Sequence, residues 1–186
     1  MPRYVLTGPP GAGKTAILRA LESAGQRVVE EAATDVIALE QAFGLARPER
    51  EPTFLDKIVS LQRARQLTSA PDDRDVVFFD RSPVCTLALA RFLGEPVPSA
   101  LAAELDRLLS GRLYERDVFF VRNQGFVIPT SARQIGLADS LEFEKVHELA
   151  YAELGFRLTE VPPGPLAERA GLIAAAVGLR VPWPAR

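Results

Sequence analysis

Residues 4–15 read YVLTGPPGAGKT, and this stretch decides the fold. Its last eight residues, Gly8 to Thr15, match the phosphate-binding loop pattern G-x-x-x-x-G-K-[ST] at every fixed position. The apolar run before the loop predicts a buried strand, and the helical pattern after it ends near Gly25. A strand, a glycine-rich turn and a helix start together form an anion site from backbone N–H groups and the helix dipole. The stretch therefore predicts nucleoside triphosphate binding.

Each position of the loop has an expected role in such a site. Glycines allow the backbone to approach the phosphates closely, Lys14 is expected to reach the β- and γ-phosphates, and the Thr15 hydroxyl to help hold Mg²⁺. The residues predicted to bind the nucleotide are Gly8, Pro9, Pro10, Gly11, Ala12, Gly13, Lys14 and Thr15. The structural alternative is a glycine-rich connector followed by a helix that starts with Lys-Thr.

The composition excludes several function classes. With 186 residues, 47% of them hydrophobic, the chain is long enough for one α/β domain with a buried core and too short for two comfortable ones. The formal charge of −2 argues against a strongly basic nucleic-acid binder. The single cysteine, Cys85, cannot form an intramolecular disulfide, and no Cys/His cluster offers a zinc site.

The same data give an expected location. No signal sequence begins the chain, and no stretch approaches the roughly 18 apolar residues of a membrane span. We therefore expect a cytoplasmic protein with neither a membrane nor a nucleic acid as partner. A homodimer is compatible with the sequence.

Strand and helix patterns alternate along the chain. Further short apolar runs predict strands at 27–30, 75–80, 118–121 and 156–161, and helical patterns lie at 15–24, 31–45, 53–69, 84–93, 99–110, 140–154 and 165–177. Strands that are apolar on both faces and alternate with helices indicate a parallel sheet covered on both sides. The predicted fold is a doubly wound α/β sandwich, formed by residues 1–186 as a single domain.

A second group of candidate residues, Asp80-Arg81-Ser82, follows the strand 75–79. Ligands of open α/β sheets bind beyond the carboxyl ends of the strands, so Asp80 is expected to face the phosphate site. Two roles are open for Asp80: it holds Mg²⁺, or it accepts the proton of an attacking hydroxyl. Arg81 is expected to fix that carboxylate or to bind a substrate phosphate. The alternative is that Asp80 caps the following helix.

Glu30 and Glu31 end the second strand at the same sheet edge. A carboxylate there is expected to bind a sugar hydroxyl or to join the metal shell. The alternative, equally weighted, is a favourable charge at a helix N-terminus.

The polar, irregular stretch 122–139 suits a lid that closes over a bound triphosphate. Arg133 is its best candidate for stabilising charge on the transferred phosphoryl group, followed by Arg122 at the end of the fourth strand. The alternative is a plain surface loop.

Three other positions are interpreted as having no direct role in binding or catalysis. Gln62 and Arg65, on the helix 53–69, would flank an acceptor pocket, but a solvated helix face is the favoured interpretation. His147 has no evident catalytic partner in the sequence and is interpreted as structural or exposed.

These motifs resemble small P-loop kinases. Asp/Glu-Arg-Ser and Asp-Arg-Tyr triplets mark the deoxynucleoside and thymidylate kinase relatives, and Asp80-Arg81-Ser82 is such a triplet. The distal part, with Arg133 and the run Tyr151 to Phe156 leading into Val161-Pro162, is similar to AAA-type predicted ATPases related to the ribosylnicotinamide-kinase-like domain. The resemblance covers nearly the whole chain, although only the loop is a specific motif, and the chain lacks a clear Asp-Arg-Tyr.

The resemblance implies a three-layer P-loop NTPase fold with a five-stranded parallel sheet of order 2-3-1-4-5. It also implies Mg·ATP as donor and an acceptor pocket between the helices 31–45 and 53–69. The catalytic residues implied are Lys14, Asp80 as base, Arg81 and Arg133; the substrate-binding residues expected are Glu30, Glu31, Arg81 and Arg122. The predicted function is a phosphotransferase acting on a nucleoside, nucleotide or related compound. The alternative is a P-loop ATPase or nucleotide-dependent switch.

Overall fold

The computed structural model describes residues 1–68, 76–125 and 136–181. Within these ranges the elements follow one another as β1 (Arg3–Thr7), α1 (Lys14–Ser23), β2 (Arg27–Val29), α2 (Ala32–Ala42), α3 (Phe54–Thr68), β3 (Val77–Asp80), α4 (Pro83–Leu93), α5 (Ser99–Ser110), β4 (Asp117–Val121), α6 (Leu137–Glu153), β5 (Arg157–Val161) and α7 (Leu166–Ala176). A short 3₁₀ turn, Pro48–Arg50, lies between α2 and α3. Every helix in the described ranges is too short or too polar to cross a lipid bilayer.

The five strands form one parallel sheet in the order β2-β3-β1-β4-β5. This confirms the predicted sheet and its order. The central strand β1 is paired on both sides, since Leu6 lies opposite Asp80 of β3 and Phe119 of β4. Because the strands are parallel, their carboxyl ends share one edge, and the loop Gly8 to Thr15 emerges there.

Adjacent residues of a strand point into two different hydrophobic cores, one on each face of the sheet. The fold therefore has three layers, with the sheet between two layers of helices. Phe78 points into one apolar cluster with residues of α1 and α7, whereas its neighbour Phe79 points into another with residues of α4, α5 and α6. Successive side chains of a strand alternate between faces, so a sheet that is apolar at consecutive positions is covered by helices on both sides.

The stretch predicted as an irregular lid is shorter than expected. Its C-terminal part is helical, because α6 begins at Leu137 with Gly136 as its N-cap. The helix predicted at 140–154 therefore begins three residues earlier, and Ser140 lies buried within its first turn. The middle of the stretch, 126–135, lies outside the described residues, and so does Arg133.

Candidate active site

The loop after β1 takes a conformation that requires glycine at two points. Gly8 has a φ of 130° and a Cβ there would lie 2.3 Å from the carbonyl oxygen of Val121, so the loop passes close to the end of β4. Gly13, at a φ of 89°, is the N-cap of α1. Backbone conformations with positive φ cost little only for glycine. Both glycines of the motif are thus fixed by geometry as well as by pattern.

Side chains from three places hold the carbonyl groups of this loop. The Lys14 ammonium donates to the carbonyl oxygens of Gly8 at 3.0 Å and Pro9 at 2.8 Å. The carbonyl oxygen of Pro10 accepts from Ser140 of α6 at 3.0 Å, and that of Ala12 accepts from Arg169 of α7 at 2.8 Å. A loop held at four of its carbonyl groups is preorganised before any ligand arrives.

The loop's donors lie in its second half. Pro9 and Pro10 have no N–H group, so the backbone donors of the loop run from Gly11 to Thr15, into the first turn of α1. Such a run of N–H groups at a helix N-terminus is an anion site.

Asp80 and Thr15 are in contact at one corner of the site. The Thr15 hydroxyl donates to the Asp80 Oδ2 at 3.4 Å, and the Asp80 side chain is buried at the end of β3. The parallel register that sets Leu6 opposite Asp80 brings these residues together across 65 positions of sequence. A hydroxyl and a carboxylate oxygen are the ligand types that Mg²⁺ prefers.

Arg81 turns away from the strand into the protein. Its φ of 72° is left-handed, a conformation that costs a residue with a Cβ about 1–2 kcal/mol. The turn places the guanidinium in a buried position, where Arg81 Nε lies 2.6 Å from the Glu31 carboxylate. Burial lowers the pKa of Arg81, but Glu31, Cys85 and Asp80 together outweigh that effect, so the net pKa lies above its ordinary value and the side chain stays charged.

This ion pair lines a cavity of about 500 Å³ that adjoins the loop. Pro10 contributes to the lining from the loop side, and α2, α3, α4 and α6 supply most of the remaining wall. Most of the wall is apolar, with three phenylalanine rings, Phe54, Phe92 and Phe143. The volume is that of a small-molecule pocket.

Two of the polar groups in the cavity wall contact each other. Gln62 of α3 and Thr86 of α4 both line the cavity, and the Thr86 hydroxyl donates to the Gln62 amide oxygen at 3.1 Å. Gln62 is half-buried, so the interpretation of this position as part of a solvated helix face is wrong. The sequence signal was ambiguous because the partner, Thr86, lies 24 residues away.

Glu30 and Glu31, predicted together, separate in the structure. Glu31 lines the cavity, whereas Glu30 is exposed and pairs with Arg19 of α1. Neighbouring residues at a strand end point to opposite sides, so only one carboxylate can face the cavity. Glu30 lies outside the lining of this cavity, and its role in binding an acceptor stays a prediction. Arg65 fixes this strand end, because its guanidinium donates to the carbonyl oxygens of Glu30 and Glu31 at 3.0 and 2.7 Å.

Arg122 belongs to a different neighbourhood from the one predicted. Its guanidinium pairs with Glu144, Glu148 and Glu160, and it lies 4.6 Å from the centroid of the Phe120 ring. Two carboxylates of α6 and one of β5 compensate its charge, and its role in binding a substrate stays a prediction.

Helix α6 supplies contacts that the sequence did not indicate. His147 Nε2 lies 3.0 Å from Arg81 Nη1, and the Tyr151 hydroxyl lies 2.7 Å from the Ser82 hydroxyl, all of them buried. Burial raises the pKa of Tyr151 well above its ordinary value, so this hydroxyl keeps its proton. Ser82 itself caps α4, because its oxygen accepts from the Val84 N–H at 3.2 Å.

Comparison with known proteins places this architecture in a family. A family model described as an AAA domain matches residues 3–169. The chain belongs to this AAA domain family. No curated protein matches this AAA-domain chain.

Solved structures of similar fold include nucleotide-binding proteins. NadR in complex with NAD and AMP-PNP matches with a TM-score of 0.68 and 15% identity over 100% of this chain and 52% of its own. NadR in complex with NR matches with a TM-score of 0.69 and 16% sequence identity. This match covers 100% of this chain and 54% of the NadR chain. Deoxyadenosine kinase from M. mycoides, with products dCMP and a flexible dCDP bound, matches with a TM-score of 0.59 and 17% sequence identity. This match covers 94% of this chain and 98% of the kinase chain. The AAA-domain chain therefore spans about half the length of NadR, and the likeness confirms the predicted P-loop kinase fold.

Proposed function

We propose that this protein transfers the γ-phosphoryl group of ATP to a hydroxyl of a small, uncharged acceptor of the nucleoside type. One observation carries the proposal: a phosphate loop and a small-molecule cavity share a wall, since Pro10 belongs to both, and the Glu31–Arg81 pair lines that cavity. A protein that only hydrolyses or senses a nucleotide does not need an apolar pocket beside the phosphates.

The cavity's chemistry supports a flat heterocycle with a polar edge. Aromatic rings at Phe54, Phe92 and Phe143 offer faces for stacking, and the Gln62 amide with the Thr86 hydroxyl offers hydrogen bonds. A nucleoside combines such a ring with a sugar hydroxyl.

The cavity's charges support a neutral acceptor over a nucleotide acceptor. Both arginines in the described part of the lining are already opposed by carboxylates: Arg81 by Glu31 at 2.6 Å and Arg47 by Glu49 at 3.0 Å. Binding an acceptor phosphate would need a cation whose charge is not already offset in this way. A hydroxyl, by contrast, can donate directly to a carboxylate.

In the transfer step the acceptor oxygen forms a bond to the γ-phosphorus as the bond from that phosphorus to the bridging oxygen of ADP breaks. We assign the acceptor's proton to the Glu31 carboxylate, because Glu31 lines the cavity. Arg81 holds that carboxylate in place. Lys14 and the loop N–H groups bind the donor phosphates.

The sequence left two roles open for Asp80, as a ligand of Mg²⁺ or as a proton acceptor. The contact between Asp80 and Thr15 supports the role of Mg²⁺ ligand. Their oxygens lie 3.4 Å apart at the end of β3, and Asp80 is in contact with the loop's own threonine. Mg²⁺ is commonly held by one or two protein oxygens together with substrate phosphates. When bound, the ion supplies charge compensation on the β- and γ-phosphates.

The decisive experiment measures ADP release with Mg·ATP alone and then with a panel of nucleosides, their monophosphates and ribosylnicotinamide, with mass spectrometry of the products. We expect one or more nucleoside-type compounds to stimulate ADP release and to appear in phosphorylated form. Steady ADP release that no compound raises would establish the alternative, a P-loop ATPase or switch.

A Lys14→Ala variant tests the donor half of the proposal. Loss of the ammonium removes the cation that binds the β- and γ-phosphates, so we expect phosphoryl transfer to fall at least 100-fold, as when one charge-stabilising group is lost. Lys57→Ala, which removes a lysine paired with Glu40 on the surface, is the matched control. Normal transfer by the Lys14 variant would contradict the assignment of the loop.

A further inference from the structure

We propose that His147 is a positioning residue for phosphoryl transfer: its Nε2 accepts a hydrogen bond from Arg81 and fixes the guanidinium between α6 and Glu31. The inference rests on the proposed function, in which Glu31 and Arg81 act on the acceptor. His147 is the only histidine in the sequence. Its position in the sequence does not indicate a functional role.

The guanidinium of Arg81 is held from two directions. Arg81 Nε lies 2.6 Å from Glu31, and Arg81 Nη1 lies 3.0 Å from His147 Nε2. A single ion pair would leave the planar group free to rotate about its contact, whereas contacts at two of its nitrogens define its plane. The orientation matters because Arg81 and Glu31 line the same cavity.

The tautomer of His147 follows from its second contact. His147 Nδ1 lies 2.9 Å from the carbonyl oxygen of Phe143, and a carbonyl can only accept. Nδ1 must therefore carry the proton, which leaves Nε2 with a lone pair directed at the guanidinium. Arg81 is always a donor, so the two contacts are mutually consistent only for this neutral tautomer.

The rest of the neighbourhood agrees with a neutral imidazole. His147 is fully buried, and burial together with the positive charge of Arg81 lowers its pKa well below the ordinary value. A protonated ring would present an N–H to the guanidinium and a second positive charge beside it. The geometry thus keeps the ring as an acceptor.

The same face of α6 contacts the site at three levels. Ser140 binds the carbonyl oxygen of Pro10, His147 lies two turns further along and binds Arg81, and Tyr151 lies one turn beyond and binds Ser82. One rigid helix therefore sets the spacing between the phosphate loop and the Asp80-Arg81-Ser82 segment. His147 is the member of this series that contacts a residue proposed to act on the acceptor.

The kinetic test uses two variants with opposite expectations. His147→Phe keeps a planar ring but removes the acceptor, so we expect kcat/KM for the acceptor to fall roughly tenfold to 100-fold, mainly through kcat, with nucleotide affinity within about twofold of the parent. His147→Gln retains an acceptor oxygen near the position of Nε2, and we expect it to stay within about threefold of the parent. Equal losses in both variants, or none in His147→Phe, would overturn the proposal.

A remote variant controls for loss of stability alone. Tyr114 is buried before the amino end of β4, at the sheet edge opposite the loop, and its hydroxyl accepts from Gln66 at 2.7 Å. Tyr114→Phe removes one buried hydrogen bond without contact to Arg81, so it should lower thermal stability and leave the acceptor kinetics unchanged. If it reproduces the His147→Phe kinetics, the effect is one of stability and the proposal fails.

A spectroscopic measurement separates this proposal from the proposed function. Because the chain has one histidine, ¹⁵N-histidine labelling gives a single imidazole, and we expect the Nδ1–H tautomer with an Nε2 signal that moves in Arg81→Met. If no acceptor stimulates the parent protein, the proposed function fails while this contact is still measured. An Nε2–H tautomer, or a signal indifferent to Arg81→Met, would overturn the positioning role whatever the activity.

Discussion

Two carboxylates at neighbouring strand ends, Glu31 and Asp80, lie in different surroundings, and the proposed function gives them different roles. Asp80 accepts from the Thr15 hydroxyl, while Glu31 pairs with Arg81 in the cavity wall. The resemblance to small kinases implied that Asp80 is the base. The contacts instead support Asp80 as a metal ligand and Glu31 as the proton acceptor.

Isosteric amide substitutions separate the two roles. For Glu31→Gln we expect transfer to the acceptor to fall 10²- to 10⁴-fold with nucleotide affinity nearly unchanged, because only the proton acceptor is lost. For Asp80→Asn we expect nucleotide binding itself to require more Mg²⁺. The measurement is a Mg²⁺ titration of fluorescent ATP-analogue binding beside single-turnover transfer.

Thermal unfolding of both variants serves as the control, since Glu31→Gln also leaves the buried Arg81 charge with less compensation. The reverse pattern, with Mg²⁺ dependence altered in Glu31→Gln and only transfer altered in Asp80→Asn, would restore Asp80 as the base.

At the scale of the element, the turn from β1 into α1 depends on a close backbone approach. A Cβ at Gly8 would lie 2.3 Å from the Val121 carbonyl oxygen, and the obstacle is backbone that cannot rotate away. We expect Gly8→Ala to lower the free energy of unfolding by about 2 kcal/mol or more and to abolish nucleotide binding, because β1 and β4 must separate at the site. Urea unfolding and nucleotide titration measure both effects.

Gly25→Ala is the matched control for this variant. Gly25 also has a positive φ, of 84°, but no atom lies within 4 Å of a Cβ placed there. It should therefore show the conformational cost alone, about 1 kcal/mol, with normal nucleotide binding. Similar losses in the two variants would show that positive φ, rather than the approach to β4, is what Gly8 provides.

Local sequence patterns were sufficient to predict the helices and strands, but they did not predict every residue of the candidate active site. The loop and the strand that precedes it are contiguous in sequence, and their chemistry could be predicted from residue types at fixed spacing. Gln62 and Arg65 were misjudged because each contacts a residue 24 or 35 positions away, and the contact of His147 with Arg81 spans 66 positions. Such contacts depend on how the helices pack, which a periodicity of apolar residues does not specify.

Glu30 and Glu31 show a second limit. Adjacent carboxylates at a strand end are equivalent by composition, and the side that faces the cavity depends on the register of β2 against β3, in which Val29 lies opposite Phe79. A shift of one residue would exchange the two side chains between faces.

At the scale of the whole molecule, one buried imidazole links the stability of the fold to pH. His147 contacts Arg81 and the Phe143 carbonyl. Burial, and then the positive charges of Arg81 and Lys14, lower its pKa in the folded protein well below the ordinary value. The Glu31 carboxylate acts in the opposite direction and raises this pKa, but it does not cancel the effect. In the unfolded chain the pKa returns to about 6.5. Between these two values the unfolded chain binds one more proton than the folded protein.

The contribution of His147 to the free energy of unfolding should therefore fall as the pH decreases through 6.5, with a slope that approaches about 1.4 kcal/mol per pH unit between the two pKa values, and it should change little well above 6.5. His147→Gln has no imidazole, so its unfolding free energy should fall less than the parent's between pH 6.5 and pH 5.5, by about 1 kcal/mol, while carboxylate effects cancel in the comparison. Urea unfolding of both proteins at pH 7.5, 6.5 and 5.5 measures the difference. Parallel curves through this range would mean that the ring is protonated in the folded state, where it could not accept from Arg81.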